Sequence, residues 1–243
     1  MKRASIAMAV YNGEEFIKEQ IDSIIKMMSV EDELVISYDV STDSSLEIIK
    51  QYVEKDSRIR IVYDSGHSVE SNFNNAVKNC EGKYIFLSDQ DDVWINDKIN
   101  KMCEYFENHS DTSVLISDGY MTDCNLNVLH EIFDILHTTT NPFYNYVKGT
   151  FLGCQMAFCS NLKEKIWPVP EKYHIAHDLW LGVIGQAYGK VDLYNEKLIL
   201  HRLHDGNFSN TSRMSFFYRI INRCMFFCLL VGRLIENTFK RFN

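Results

Sequence analysis

Two rhythms of apolar residues alternate along the first ninety positions. Ser5 to Val10 is a compact apolar run that reads as a buried strand. Asn12-Gly13 marks a turn. From Glu14 onward Phe16, Ile17, Ile21, Ile24, Ile25 and Met28 fall on one face of a helix. Leu34 to Ile36 is a second strand, and Ser41-Thr42-Asp43 breaks it and can cap a helix bearing Leu46, Ile48, Ile49, Tyr52 and Val53. Ile59 to Tyr63 is a third strand, Asp64-Ser65-Gly66 a turn, Asn72 to Lys78 a helix, and Tyr84 to Leu87 a fourth strand. This strand–helix alternation predicts an α/β fold with a mostly parallel central sheet and helices on both faces.

The second half is less regular. Ile99 to Phe106 and Leu179 to Tyr188 have helical spacing, and Ser113 to Ile116 and Phe151 to Phe158 read as strands. Val191 to Tyr194 and Lys197 to Leu200 read as a pair of short strands. Asp118 to Tyr146 has no clean period and predicts a mobile loop. Near the end, Phe216, Phe217, Ile220, Ile221, Cys224, Phe227, Cys228, Val231, Leu234, Ile235 and Phe239 recur at helical spacing among basic residues. The pattern divides the chain into one domain over 1–210, with halves 1–95 and 96–210, and an amphipathic helical tail over 211–243.

Composition narrows the classes. Of 243 residues 46% are hydrophobic and 24% charged, which is ordinary for a globular chain. A formal charge of -8 argues against a nucleic-acid partner. From Arg213 onward, however, Arg213, Arg219, Arg223, Arg233, Lys240 and Arg241 face Glu236 alone, so the tail is basic. A basic aromatic helix of this kind suits an anionic membrane surface or a partner helix. Seven cysteines with no CxxC pair and no zinc-ligand spacing point to buried, reduced thiols in a cytoplasmic protein. Ile6 to Val10 is too short for a signal peptide, and Cys224 to Gly232 too short for a membrane span.

The sharpest chemical feature is Asp89-Gln90-Asp91-Asp92, directly after the strand-like Lys83 to Ser88. Three crowded carboxylates repel one another and ionise cheaply only with water or a cation among them. Their hard oxygens suit Mg²⁺ or Mn²⁺, which bridges carboxylates to phosphates. The same tetrapeptide also reads as a solvated turn before a helix. Its companions are Val10 to Gly13, Tyr38 to Asp43, Val93-Trp94, Gly153 to Phe158, His177 to Trp180 and His201 to Asn207.

This series resembles glycosyltransferase family 2, the inverting GT-A enzymes, and within it the bacterial branch building O-antigens, capsules and rhamnose-containing polysaccharides. The metal motif SDQDDVW stands at Ser88 to Trp94, and the likeness covers about the first 210 residues. It implies a metal-dependent hexosyl- or rhamnosyltransferase moving a sugar from a UDP- or dTDP-linked donor to a saccharide acceptor, commonly lipid-linked, on the inner face of the cell membrane. It implies a nucleotide-binding half over 1–95 and an acceptor-binding half over 96–210. Ala9, Tyr11, Asp39, Asn72, Asp89 and Gln90 would bind the nucleotide, and Asp91, Asp92 and His204 the metal. Arg202 would bind the diphosphate. Trp94, Gly153, Cys154, Gln155 and His177 would line the sugars, with Trp94 equally readable as a core residue. Asp178 would be the catalytic base, a role that shares its position with ordinary capping of a helix N-terminus. Tyr38 and Val40 depart from the family's Asp-Asp-Gly-Ser, and Val40 would resist the positive φ that a glycine there permits. These departures keep open a degenerate nucleotide-sugar-binding or scaffold subunit. A sugar nucleotidyltransferase is a further alternative, although its glycine-rich first loop is missing.

Overall fold

The structure, a computed structural model, describes residues 2–171, 175–204 and 216–242. Nine strands form one sheet: β1 (Lys2–Val10), β2 (Glu33–Tyr38), β3 (Ile59–Tyr63), β4 (Gly82–Ser88), β5 (Val93–Trp94), β6 (Thr112–Thr122), β7 (Val128–Glu131), β8 (Met156–Cys159) and β9 (Lys190–Arg202). Their order is β3-β2-β1-β4-β8-β6-β9-β5, with β7 paired to β6. The first four are parallel, as strand–helix alternation requires. Beyond them β8 runs antiparallel to both β4 and β6, while β6 and β9 are again parallel.

Helices cover both faces: α1 (Ile17–Ile25), α2 (Ser45–Lys55), α3 (Val69–Lys78), α4 (Lys98–Asn108), α5 (Ile132–Leu136), α6 (Pro142–Lys148), α7 (Lys163–Ile166), α8 (His177–Tyr188) and α9 (Phe216–Phe242). Side chains alternate across β1, so Ala4, Ile6, Met8 and Val10 pack on Ile17, Ile21 and Ile24 of α1 and on Ile99 and Met102 of α4. Ala7 faces the other way, into a cluster with Phe73 and Val77 of α3, Trp180 and Ile184 of α8 and Phe226 of α9. Each such fully buried branched or aromatic side chain stabilises the fold by about 1.5–3 kcal/mol relative to exposure.

Three sequence expectations change. Asp118 to Tyr146 is not a long loop, because β6 continues to Thr122 and β7, α5 and α6 follow. Val191 to Leu200 is not a hairpin but one strand: Ser117 pairs with Tyr194 and Asp118 with Lys197, so Asn195 and Glu196 form a bulge that imitates a turn. Gly153–Gln155 is a 3₁₀ turn and only Met156–Cys159 is strand. All seven cysteines are free, yet Cys124, Cys224 and Cys228 are exposed rather than buried. Asp205, Gly206, Asn207, Arg213 and the boundary at 210 lie outside the described residues.

Candidate active site

The carboxyl ends of β1, β2 and β4 gather at one edge of the sheet, where parallel sheets bind ligands. β1 delivers the partly buried Ala9 and then Tyr11, whose ring is 54% exposed. The Tyr11 N–H donates to Gln90 Oε1 at 2.9 Å and its carbonyl accepts from Gln90 Nε2 at 2.9 Å. Gln90 thereby clamps the acidic loop to the first loop. Asp39, at the end of β2, donates its N–H to the Val10 carbonyl at 2.9 Å and keeps a nearly buried carboxylate beside Tyr11. Val40 takes no left-handed angle. Near the site those fall to Asn12 (φ 47°) and His67 (φ 54°), so the missing glycine has no backbone consequence. The Tyr38 hydroxyl accepts from the Ser41 N–H at 3.0 Å and so orders the turn. Asn72 is buried and donates to the Val10 carbonyl at 3.0 Å, while its Oδ1 has no protein partner. Its place is between α3 and β1, not at a helix cap, which Ser68 provides.

The acidic loop divides its three carboxylates. Asp92 is fully buried and accepts from His201 Nδ1 at 2.8 Å and from the Arg202 N–H at 3.2 Å. Burial opposes its ionisation, but the His201 charge and these hydrogen bonds hold it below the usual range. In turn, burial opposes the His201 charge while Asp92 outweighs it and raises the imidazole to about 9. Cys154 Sγ lies 3.8 Å from His201 Nδ1 and completes an Asp92–Cys154–His201 cluster. Asp91 is partly exposed and lies 2.9 Å from His204 Nε2. Its carboxyl is raised by burial and by Asp92 against the pull of His204. The Asp89 carboxyl is raised further, by burial and then by Asp92 and Asp91. Burial and crowding thus make it costly for all three carboxylates to ionise together. The partly exposed carboxylate–imidazole pair Asp91 and His204 has the oxygen and nitrogen donors that suit Mn²⁺ or Mg²⁺. Asp92 faces inward, supports the loop through Oδ1, keeps a buried Oδ2 without a hydrogen-bond partner, and shares with Cys154 and His201 a geometry that could hold an ion.

Four side chains are held by protein groups or buried. Arg202 is engaged around the acidic loop. Its Nε donates to the Asp91 carbonyl at 2.9 Å, one Nη to the Cys124 carbonyl at 2.7 Å, and the other to Glu19 at 2.5 Å, and the guanidinium lies over the Phe16 ring. It braces the acidic loop from behind. Trp94 is 2% exposed and packs on Phe86 in the core, with Lys98 Nζ 4.5 Å from its ring centre, so it walls no sugar. Cys154 and Gln155 are wholly buried. Gln155 donates to the Ser117 carbonyl at 2.7 Å, and both shape the acceptor side from within.

Asp178 occupies the second position of α8, with Ala176 at the N-cap, so its carboxylate is not the capping group. Its Oδ1 accepts from the Leu179 N–H at 2.5 Å. Burial pushes the carboxyl up to about 6, against its backbone hydrogen bonds. Its charge adds a minor contribution to the raised Asp89 carboxyl, so the two lie within electrostatic range. His177 stacks on Phe73 at 4.1 Å and is held neutral by burial, at about 4. A Cβ on Gly153 would strike His177 Nε2, so this glycine admits the imidazole rather than a sugar.

Four contributors had no motif to reveal them. His67 Nδ1 lies 3.0 Å from Asp39 Oδ1. Lys98 is buried below the acidic loop, donates to the Cys154 carbonyl at 2.5 Å, and is lowered to about 8 by burial. Glu19 pairs with Arg202 across 183 residues of chain. Arg223 reaches in from α9 within electrostatic range of Asp178.

A sequence profile of glycosyl transferase family 2 matches residues 5–167. TuaG of Bacillus subtilis, a glycosyltransferase named for teichuronic acid biosynthesis, is 26% identical over 91% of this chain and 89% of its own length. RfbG of Shigella flexneri, named a dTDP-rhamnosyl transferase, is 38% identical over 42% of this chain and 38% of its own. The crystal structure of S. aureus TarS 1–349 with UDP-GlcNAc superposes with a TM-score of 0.69 at 20% identity. That match covers 88% of this chain and 62% of that one.

Proposed function

This chain belongs to glycosyltransferase family 2, and from that premise and its GT-A fold we propose that it moves a sugar from a UDP- or dTDP-linked donor to a saccharide hydroxyl, with inversion, in cell-surface polysaccharide assembly. The observation that carries the reading is a raised carboxyl at the start of α8 within electrostatic range of the acidic loop. Burial pushes Asp178 up to about 6, and its charge adds to the raised Asp89 carboxyl. Single displacement at an anomeric carbon needs this division: one base for the incoming hydroxyl, and one pole for the departing diphosphate.

Tyr11 offers an open ring for the base and Asp39 a carboxylate for its ring N–H. Asp178 would take the acceptor proton, its carboxylate oriented by the Leu179 N–H at Oδ1 and by further backbone hydrogen bonds. Asp91 and His204 would hold a divalent cation, which when bound neutralises charge on the leaving diphosphate. Asp92, His201 and Arg202 keep that loop in place. UDP-GlcNAc in the TarS complex and the dTDP-rhamnosyl activity in the name of RfbG favour a uracil or thymine nucleotide. The division into nucleotide and acceptor halves near residue 95 belongs to the same proposal.

The outer face of α9 adds a membrane component to it. Ile221, Phe227, Ile235 and Phe239 are exposed by 52–67%, while Arg223 and Arg233 turn inward. Peripheral attachment would therefore depend on apolar insertion more than on basic charge. No helix among the described residues is long and apolar enough to cross a membrane.

Transfer from UDP- and dTDP-sugars to a panel of saccharide acceptors, with Mn²⁺ or Mg²⁺, tests the reading. Asp178→Asn is expected to lower turnover by roughly 10²–10⁴-fold while UDP affinity stays within about twofold. Unchanged turnover in that variant would remove Asp178 as the base.

A further inference from the structure

Asp39 has a neighbour that no motif predicted. His67 stands in the loop between β3 and α3, and its Nδ1 lies 3.0 Å from Asp39 Oδ1. The same oxygen accepts the Val40 N–H at 2.8 Å. A carboxylate oxygen has two lone pairs, and Oδ1 uses both. No donor among the described residues reaches Oδ2. The carboxylate is therefore half committed: one oxygen is full and one is open, on a side chain otherwise 6% exposed.

The loop that delivers His67 is built for this position. His67 adopts φ 54°, a left-handed angle that an L-residue holds only when its surroundings demand it. Asp64 accepts from the Gly66 N–H at 3.2 Å and from Ser71 Oγ at 3.0 Å, and Ser68 Oγ caps α3 by accepting from the Ser71 N–H at 3.0 Å. Gly66 lies so close to Ser71 that a Cβ there would overlap the Ser71 hydroxyl. The tight turn sets down a ring that is mostly exposed on one side and hydrogen-bonded to the base-recognising carboxylate on the other.

We propose that His67 is a positioning residue that sets base selectivity by occupying Oδ1 of Asp39. This rests on the donor reading above and adds the mechanism of choice. One open acceptor oxygen matches a base with a single ring N–H between two carbonyls, as in uracil and thymine. Guanine presents N1–H and the exocyclic amine side by side and needs both carboxylate oxygens. Against Asp39 with Oδ1 filled, one of its donors is left buried and unpaired, which costs binding. Adenine and cytosine present a ring lone pair at that edge and meet the carboxylate with repulsion. His67 also fixes the rotation of Asp39, because a carboxylate tied at Oδ1 by two donors cannot turn freely.

The test is calorimetric titration of UDP, dTDP and GDP, each with Mn²⁺, into the wild type, His67→Ala, His67→Asn and Asp39→Asn. The wild type is expected to bind UDP and dTDP at least roughly tenfold more tightly than GDP. His67→Ala is expected to narrow that ratio by roughly three- to tenfold, with UDP weaker and GDP stronger, while the melting temperature holds. His67→Asn keeps an N–H donor and is expected to restore most of the ratio. An unchanged UDP-to-GDP ratio in His67→Ala, alongside lost UDP binding in Asp39→Asn, overturns the role of His67 and leaves the donor reading intact. A wild type that prefers GDP, or binds none of the three, overturns both.

Discussion

At the scale of residues, Gly153 and His177 show how little slack surrounds the candidate base. The imidazole fills the space a Cβ would need, between Gly153 and the Phe73 ring, and Asp178 is the next residue. Gly153→Ala should push His177 aside and turn Asp178 with it. The expected result is a fall in kcat of at least about tenfold with UDP affinity unchanged, and a stability loss of about 1–3 kcal/mol by thermal melt. The raised carboxyl has a pH signature. Asp178 must be ionised to accept a proton, so kcat should be flat above about pH 7 and fall steadily below about 6. For stability the sign is opposite. The folded state binds this proton more tightly than the unfolded chain, so its contribution is full below about pH 4 and lost as pH rises through 6. Asp178→Asn should therefore melt higher than wild type at pH 7.5, by on the order of 1–2 kcal/mol, and gain nothing at pH 4. His177 acts in the reverse direction, since its buried ring resists the proton that the unfolded chain takes up between about 6.5 and 4. The acidic loop and the His177-Asp178 pair were legible because one follows a strand end and the other opens a helix. His67, Lys98 and Glu19 were not, because their partners lie 28, 56 and 183 residues away and only folding brings them near.

At the scale of elements, α9 carries two apolar faces, and only one of them was separable in the sequence. Phe226 is 1% exposed and sits 5.6 Å from both the Tyr146 and Trp180 ring centres. Arg233 donates to the Ile166 and Pro168 carbonyls at 2.7 and 2.8 Å, and Asn237 to the Tyr188 hydroxyl at 2.7 Å. Such contacts make the helix part of the domain, and Phe226→Ala should cost about 3–5 kcal/mol by denaturant titration. The opposite face should behave independently. A Phe227→Glu, Ile235→Glu double variant should melt within about 0.5 kcal/mol of wild type per site yet lose co-sedimentation with phosphatidylglycerol vesicles. Equal vesicle binding by the variant would remove the membrane component. Helical period placed α9 correctly, but period alone does not say which arginines turn inward. The bulge in β9 misled for a related reason. Polar Asn195 and Glu196 look like a turn locally, and only the Asp118–Lys197 pairing across to β6, with its 2.7 Å ion pair, shows the strand continuing.

At the scale of the whole molecule, the site exists because a parallel amino-terminal sheet and a mixed carboxyl-terminal one share β4 and β8. The first half contributes the loops after β1, β2 and β4, the acidic loop among them, and the second contributes Asp178 at the start of α8 and His204 just after β9. Asp89, Asp91 and Asp92 crowd at this junction, and burial with their mutual repulsion raises the Asp89 and Asp91 carboxyls. A cation there would relieve that repulsion, so the fold should respond to ligands. Mn²⁺ and UDP together at about a hundredfold over their dissociation constants should stabilise the protein by about 2.7 kcal/mol, a melting shift of roughly 5–10 °C for a chain this size. A chelator should reverse the metal-dependent share. Asp91→Ala and His204→Ala should each lose that share but keep the shift due to UDP alone, because neither touches Tyr11 or Asp39. Asp92→Ala should differ in kind: it strips the buried His201 of its partner, so the unliganded protein itself should melt lower. If Asp91→Ala and Asp92→Ala instead behaved alike, the separation of an outward ligand from an inward support would fail, and the cation would have to be sought in the buried Asp92–Cys154–His201 cluster.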